Sequence, residues 1–241
     1  MQLSQEEQTR CQTFLSTFND IEAYLRQTLK ENEQTEFKRL IDQYIDRRKA
    51  WRSDRQKLRN LADLRNILVH QTTEPSQYPA VPSERTIKQV KQFRDRLINP
   101  LKVIPTFQRE VETLTPERPL AWVFQRINAC DYSQFPVYEG DRFIGLLTEN
   151  GITRWLARHT VTNLTLIEFE EILITKLLPE EEIRTNCSFI ARDISVDEVI
   201  EQFSDNLFLE AVLITQNGKK SEKLLGIATR WDILKYLQDR E

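Results

Sequence analysis

The 241-residue chain is poor in glycine, histidine and cysteine, and each shortage narrows what the protein can do. All five glycines lie at or after position 140, and 139 residues without glycine favour helices joined by short polar connections. The two histidines, His70 and His159, are far apart, and the three scattered cysteines have neither a zinc-site spacing nor a disulfide framework. We therefore expect no metal site and a reducing, cytoplasmic setting.

Long apolar runs are also missing. No run approaches the ~18 residues of a membrane span, and the first ten residues lack the apolar core of an export signal. The missing apolar run predicts no membrane partner. No P-loop is present, and no DNA-reading motif indicates a DNA partner.

The net charge of −3 is unevenly distributed along the chain. Residues 1–105 carry 19 Lys and Arg against 14 Asp and Glu, whereas residues 106–241 carry 15 against 23. This asymmetry predicts two domains with different partners, 1–105 and 106–241. Two prolines, Pro100 and Pro105, interrupt the helical pattern at the expected boundary.

Four stretches of the first part repeat apolar residues at helical spacing. They begin at Phe14, Phe37, Leu58 and Ile87, and the last one stops before Asn99. A proline-rich segment at 74–82 separates the third stretch from the fourth. The pattern predicts an all-α bundle of four helices.

A short motif, Arg65-Asn66-Ile67-Leu68-Val69-His70, closes the third predicted helix. A histidine exchanges protons near neutral pH and an arginine binds phosphate bidentately, so the pair suits metal-independent RNA cleavage. Positions 65 and 70 lie ~140° apart around a helix, so they converge only if the helix frays at Val69 or if two chains contribute. In the other interpretation, Arg65 pairs with an acid while Asn66 and His70 cap the helix end.

In its helical context this motif resembles the HEPN superfamily of small helical bundles. In active members the resemblance implies a ribonuclease site, here Arg65, Asn66 and His70, that is usually composite across a homodimer. Other members only bind or dimerise. Between Lys38 and Arg59 nine basic residues accompany three acidic ones, which suits either an RNA-facing surface or an ordinary solvated helix face.

The second part repeats one order of elements: helix, strand, turn, strand and a helix that starts at a threonine. Thr148 and Thr229, the two threonines, are 81 residues apart. The first copy places its elements at 120–127, 134–138, 139–141 and 143–147, and the second at 196–203, 210–214, 217–218 and 224–228.

Both copies keep the threonine, but only the second keeps an acid three residues later, since Gly151 stands where the second copy has Asp232. A threonine at a helix start leaves backbone N–H groups that attract phosphate, and the carboxylate one turn into the helix can accept two hydrogen bonds. The same spacing is also that of a helix capping box, and both roles can hold together. Arg230 either supplies positive charge for a phosphate or is a surface residue.

Three segments, Phe135-Pro136-Val137, Gly145-Leu146-Leu147-Thr148 and Gly226 to Asp232, resemble a tandem cystathionine-β-synthase (CBS) domain pair. The resemblance implies an α+β fold: the N-terminal helical bundle, then two β-α units that form a Bateman module. We expect the first unit at about 106–160, a linker at 161–182 and the second unit at 183–241. The resemblance also implies two clefts for AMP, ADP, ATP or S-adenosylmethionine, with Thr229, Arg230 and Asp232 in one cleft and Thr148 in the other. It implies that Asp232 accepts hydrogen bonds from the ribose diol and that the threonine contacts phosphate. We expect the cleft at Thr148 to be impaired, because Gly151 lacks the carboxylate.

These observations predict a cytoplasmic, homodimeric regulatory protein whose CBS pair binds an adenine nucleotide and modulates or dimerises a helical effector domain. No cofactor is required. One alternative is a metal-independent HEPN-type ribonuclease that acts on RNA through Arg65 and His70 and is gated by the pair. A second alternative is a structural dimerisation module without a ligand.

Overall fold

The computed structural model describes residues 3–70, 78–130, 132–160, 168–181 and 186–239. The chain divides into two compact units, Met1–Leu101 and Lys102–Glu241. The expected loop at 74–82 and the expected linker at 161–182 lie partly outside the described residues. Within the described residues, the helices are too short or too polar for any of them to cross a membrane.

The first unit contains the four predicted helices: α1 Gln5–Leu29, α2 Phe37–Arg47, α3 Arg55–His70 and α4 Glu84–Ile98. A capping box starts α1, because the Glu7 N–H donates to Ser4 Oγ (3.2 Å) and the Ser4 N–H donates to Glu7 Oε2 (2.8 Å). The predicted all-α bundle is therefore confirmed.

Apolar stripes of the four helices meet in the core of this unit. The buried residues include Phe14, Phe18, Ile21, Leu25, Leu40, Ile41, Ile45, Leu58, Leu61, Leu68, Val90, Phe93 and Leu97. Trp51 joins them from a 3₁₀ turn, Lys49–Asp54. The Arg96 guanidinium lies 3.8 Å from the centre of the Trp51 ring and pairs with Asp54 at 2.7 Å, so the α2–α3 connection is held against α4.

The first repeat of the second unit has the predicted order. A short helix, α5 Val103–Thr106, precedes it, and it then comprises α6 Leu120–Cys130, β1 Gln134–Glu139, β2 Arg142–Thr148 and α7 Glu149–Thr160. The two strands are antiparallel, with Phe135 opposite Leu147. Gly140 makes the turn between them at φ 59, a left-handed conformation that glycine adopts without strain.

The second repeat adds a strand that the periodicity does not predict. After α8 Leu178–Glu181 it comprises β3 Cys187–Ala191, α9 Val196–Asp205, β4 Ala211–Thr215, β5 Gly226–Thr229 and α10 Arg230–Gln238. The strand order is β3-β4-β5, with β3 parallel and β5 antiparallel to β4. The helix α9 separates β3 from β4, its parallel partner, in the sequence. The residues around β3 therefore do not indicate this pairing.

Residues 102–113, which we call the entering segment, precede the first repeat in the sequence but contact the second repeat. The Val103 N–H donates to the Ile194 carbonyl (2.9 Å), and Gln108 pairs with Gly226 in an antiparallel bridge. These contacts place residues from Lys102 onwards in the second unit, which begins slightly before the expected position near 105.

Candidate functional site

A cavity of about 340 Å³ lies within the second unit, at the start of α10. Its walls come from the entering segment, the residues before and at the start of β1, the first residue of α7, and the junction of β5 with α10; they include Arg109, Glu110, Glu112, Gln134, Glu149, Thr229, Trp231 and Asp232. This volume is within the range of small-molecule sites, about 300–1,000 Å³. Thr229 and Asp232 line the cavity, whereas Arg230 and Thr148, the other two residues that the sequence predicts to bind a ligand, are not part of its lining.

Thr229 and Asp232 form the predicted capping box. The Asp232 N–H donates to Thr229 Oγ1 (3.3 Å), while the Thr229 N–H and its hydroxyl each donate to Asp232 Oδ2 at 2.7 Å. The helix therefore starts at Thr229 because its side chain and that of Asp232 satisfy each other's backbone donors. The Asp232 side chain remains 19% exposed, so its carboxylate is accessible from the cavity.

Arg109 is the site residue that sequence reasoning missed. Its Nη1 donates to Asp232 Oδ1 at 3.1 Å and its Nη2 to Asp232 Oδ2 at 2.7 Å. This bidentate pair joins residues 123 positions apart. The carboxylate that we expected to accept a ribose diol thus already accepts hydrogen bonds from a guanidinium.

A glycine in β5 explains why Arg109 comes so close. A Cβ at position 226 would lie 2.2 Å from the carbonyl oxygen of Phe107, so only glycine lets the entering segment cross there. The Arg109 N–H then donates to the Leu225 carbonyl (3.4 Å). A glycine inside a predicted strand often marks such a close approach, which is a signal for Gly226 but does not name its partner.

Arg230 lies at the start of α10, but its guanidinium contacts the end of α9. It donates to the Asn206 carbonyl at 2.9 Å and the Phe203 carbonyl at 3.5 Å, and it lies 5.3 Å from the centre of the Phe203 ring. A cation is favourable at a helix C-terminus. The structure therefore groups Thr229 and Asp232 with Arg109, and places the Arg230 charge elsewhere.

Thr148, the equivalent threonine of the first repeat, is buried and caps α7. Its Oγ1 accepts the Gly151 N–H at 3.0 Å. Asn150, the second residue of that helix, donates to Oε1 of Glu210, which directly precedes β4, at 3.2 Å. The threonine thus keeps its structural role in a copy where the acid has become Gly151.

A second, larger cavity of about 1130 Å³ is also lined by Arg109. It is bordered by the entering segment, the β1–β2 turn and residues 221–225. Tyr138 lines it, and burial raises the pKa of the Tyr138 phenol to about 12. Arg109 therefore borders both cavities.

In the first unit, Arg65 and Asn66 lie on α3, which continues to His70. Arg65 Nη1 lies 3.4 Å from Asn66 Oδ1, and its Nη2 lies 3.9 Å from Glu22 Oε2. The His70 side chain lies outside the described part of the structure. Because the helix includes Val69, positions 65 and 70 stay ~140° apart around the axis of one chain.

Much of the basic stretch between Lys38 and Arg59 is engaged in ion pairs. Lys38 pairs with Asp63, Lys57 with Asp54, and both Arg55 and Arg59 with Asp42. Ion pairs of this kind are typical of a solvated helix surface. Within the described residues, no three His, Cys, Asp or Glu side chains are grouped so that they could hold a metal ion.

Comparison with known proteins gives one family match. The family model for the CBS domain matches residues 105–158 and 181–239, and no curated protein matches the chain. A CBS-domain protein from Burkholderia ambifaria MC40-6 is 15% identical, with 56% of this chain and 88% of that chain covered and a TM-score of 0.44.

Two further solved structures are similar. One is a CBS domain pair in complex with 5′-methylthioadenosine and S-adenosyl-L-methionine: 17% identity, 59% of this chain and 99% of that chain, TM-score 0.44. The other is a hexameric CBS-CP12 protein from bloom-forming cyanobacteria: 16% identity, 58% of this chain and 75% of that chain, TM-score 0.43. These low values transfer neither a ligand nor an assembly to this chain.

Proposed function

Residues 105–158 and 181–239 form a tandem pair of CBS domains, a regulatory module, and from this premise we propose that the pair binds an adenosine-containing ligand in the cleft at Asp232. One observation carries the proposal: Thr229 and Asp232 border the same cavity of about 340 Å³ at the start of α10. The Asp232 carboxylate accepts hydrogen bonds from the ribose hydroxyls, and the N-terminus of α10 favours an anionic or polar group of the ligand.

Binding of the ribose competes with Arg109 for the same carboxylate. Asp232 Oδ1 and Oδ2 accept hydrogen bonds from Arg109, and Oδ2 also accepts from Thr229. A ribose diol takes over the two guanidinium contacts, while the capping hydrogen bonds that start α10 can remain. Ligand binding therefore exchanges one hydrogen-bonded pair for another instead of leaving a carboxylate without donors.

Titration calorimetry with AMP, ADP, ATP and S-adenosylmethionine tests the proposal, with wild type compared to Asp232→Asn. We expect wild type to bind at least one of them and Asp232→Asn to bind it at least about tenfold more weakly, because an amide accepts fewer hydrogen bonds from the diol. Glu198→Gln is the matched control. Glu198 is the acid three residues after the N-cap Ser195 of α9, it accepts a hydrogen bond from Ser195 Oγ at 2.8 Å, and it does not line the cavity.

Equal affinity of wild type and Asp232→Asn would contradict the role of Asp232. Failure of wild type to bind any of the four compounds would contradict the function itself. Loss of binding in Glu198→Gln would show that a weakened helix start alone explains the effect.

For the helical unit we propose the role of a HEPN-like effector that the CBS pair modulates. A ribonuclease site composed of Arg65, Asn66 and His70 requires two chains, since positions 65 and 70 lie ~140° apart on the unbroken helix α3. Incubation of RNA with EDTA compares wild type, Arg65→Ala and His70→Ala. Cleavage that only wild type performs supports the site, and equal cleavage by all three contradicts it.

We propose a homodimer in which apolar side chains near α10 are covered. Trp231 is 72% exposed, Leu234 55%, and Leu207 and Phe208 at the end of α9 are 79% and 55% exposed. Exposed apolar surface of this extent marks an interaction surface. Light scattering of wild type and Trp231→Glu tests it: a monomeric wild type would contradict the dimer and the composite ribonuclease site together.

A further inference from the structure

The charges around the proposed adenosyl cleft are predominantly negative. Among the described lining residues, Glu110, Glu112, Glu149 and Asp232 accompany a single cation, Arg109. Glu112 is paired with Arg126 outside the lining, with Nη2 and Oε2 2.7 Å apart. Glu110 and Glu149 are exposed and line the cavity from two different elements, the entering segment and the first residue of α7.

Arg109 can neutralise one anionic group of a ligand at most. In the free protein its guanidinium is paired with Asp232. Once a ribose diol occupies Asp232, the guanidinium is released beside the cavity and can accept one carboxylate or one phosphate as its new partner. It remains in position because its backbone N–H donates to the Leu225 carbonyl.

The larger cavity, which Arg109 also lines, does not favour a longer anionic tail. Its charged lining residues are Glu110, Asp141 and Glu222 against Arg109 and Lys223. A terminal phosphate carries about −1.5 to −2 charges at pH 7, so a polyphosphate brings more negative charge than either cavity can balance. Surfaces of one sign repel ligands of the same sign over about a Debye length.

Given the proposed adenosyl site, on which this inference rests, we propose that the cleft selects adenosyl ligands whose tail is neutral or positively charged and discriminates against ADP and ATP. Asp232 binds the ribose, Arg109 binds one anionic group, and Glu110 and Glu149 favour a cationic centre. The ligand class is therefore an adenosyl compound of the amino-acid or sulfonium type, not a nucleoside polyphosphate.

The most direct test compares S-adenosylmethionine with S-adenosylhomocysteine, which lacks the sulfonium methyl group and its positive charge but keeps the rest of the molecule. Titration calorimetry of the full chain at fixed ionic strength also includes adenosine, AMP and ATP. We expect S-adenosylmethionine to bind about three- to tenfold more tightly than S-adenosylhomocysteine, as one charge near two partly solvated carboxylates allows. ATP should bind at least about tenfold more weakly than adenosine.

Two variants test the carboxylates themselves. Glu110→Gln and Glu149→Gln should each reduce the preference for S-adenosylmethionine over S-adenosylhomocysteine and should improve ATP binding relative to wild type. Glu117→Gln is the control, because Glu117 is also an exposed glutamate of the first repeat but lies outside the cavity lining. It should change neither ratio.

The outcomes separate this inference from the function on which it rests. Tightest binding by ATP, equal affinities for the two S-adenosyl compounds, or unchanged ratios in both glutamate variants would overturn the charge selection and leave the adenosyl site standing. No binding of any of the five compounds would overturn the adenosyl site itself.

Discussion

Replacing Gly226 with alanine would put a methyl group where the backbone of the entering segment crosses β5. The added Cβ would lie 2.2 Å from the Phe107 carbonyl oxygen and 3.3 Å from the Gln108 Cα. Neither atom belongs to a flexible side chain, so the segment must retreat by about 1 Å to restore ordinary contact. That retreat weakens the hydrogen bond from the Arg109 N–H to the Leu225 carbonyl, which is already 3.4 Å long.

The expected cost is about 1–3 kcal/mol in the free energy of unfolding, the usual range for overpacking a well-packed interior. Arg109 moves with the segment, so its bidentate contact with Asp232 is lost as well, and we expect ligand affinity to change with it. Urea unfolding of wild type and variant, monitored by circular dichroism, measures the first effect, and calorimetry measures the second.

Gly145→Ala is the matched control, because Gly145 precedes Thr148 as Gly226 precedes Thr229. A Cβ at position 145 would lie 3.2 Å from Leu178 Cδ2, the end of a side chain that can move by a few tenths of an ångström. We expect a cost below about 1 kcal/mol. If Gly226→Ala is as stable as Gly145→Ala and binds ligand like wild type, the close approach does not build the cleft and the reasoning is refuted.

Three further predictions concern other contacts. Arg96→Ala should lower the unfolding free energy by about 3 kcal/mol in urea titrations, because Asp54, 14% exposed, loses its partner at 2.7 Å and keeps the longer contact with Lys57 at 3.7 Å, and because the cation above Trp51 is removed; a cost under about 1 kcal/mol would contradict the buried pair. A double-mutant cycle of Arg109→Ala and Asp232→Ala should give a coupling energy of about 0.5–1 kcal/mol, since Arg109 is 43% exposed, and a coupling near zero would argue against the pair. Hydrogen bonds from Asn217 lower the pKa of Glu222 to about 2, so the contribution of Glu222 to the unfolding free energy is present above about pH 4.5 and disappears as the pH falls to about 2. The stability difference between wild type and Glu222→Gln should therefore vanish in acid, and a difference that is independent of pH would contradict the prediction.

The local predictions rest on features that neighbours in sequence determine. The apolar stripes of the first part predicted four helices, and α1 to α4 are present because each stripe has one face to bury. The spacing of Thr229 and Asp232 predicted a capping box, which forms within one turn of α10. The repeat of 81 residues predicted two copies of one unit, and both carry their strands and helices in the expected order.

Strand β3 and Arg109 could not be predicted in this way. Strand β3 forms by pairing with β4, which follows α9 in the sequence. Its five residues are too few to show an alternation that would predict this strand or its partner. Arg109 looked like one charged residue among many, in a segment without clear periodicity. Arg230 looked like the better candidate because it adjoins Thr229, yet its guanidinium contacts the end of α9.

By itself, the sequence determined the helical first part, the repeated second part and the asymmetry between Asp232 and Gly151. Only the tertiary structure decided that Asp232 pairs with Arg109 beside a cavity that is also lined by glutamates. The physical reason is the sequence distance over which each interaction acts. Helix periodicity and capping act over a few residues, whereas this ion pair joins positions 123 apart and forms because the backbone can pass Gly226 at a distance that no side chain would permit.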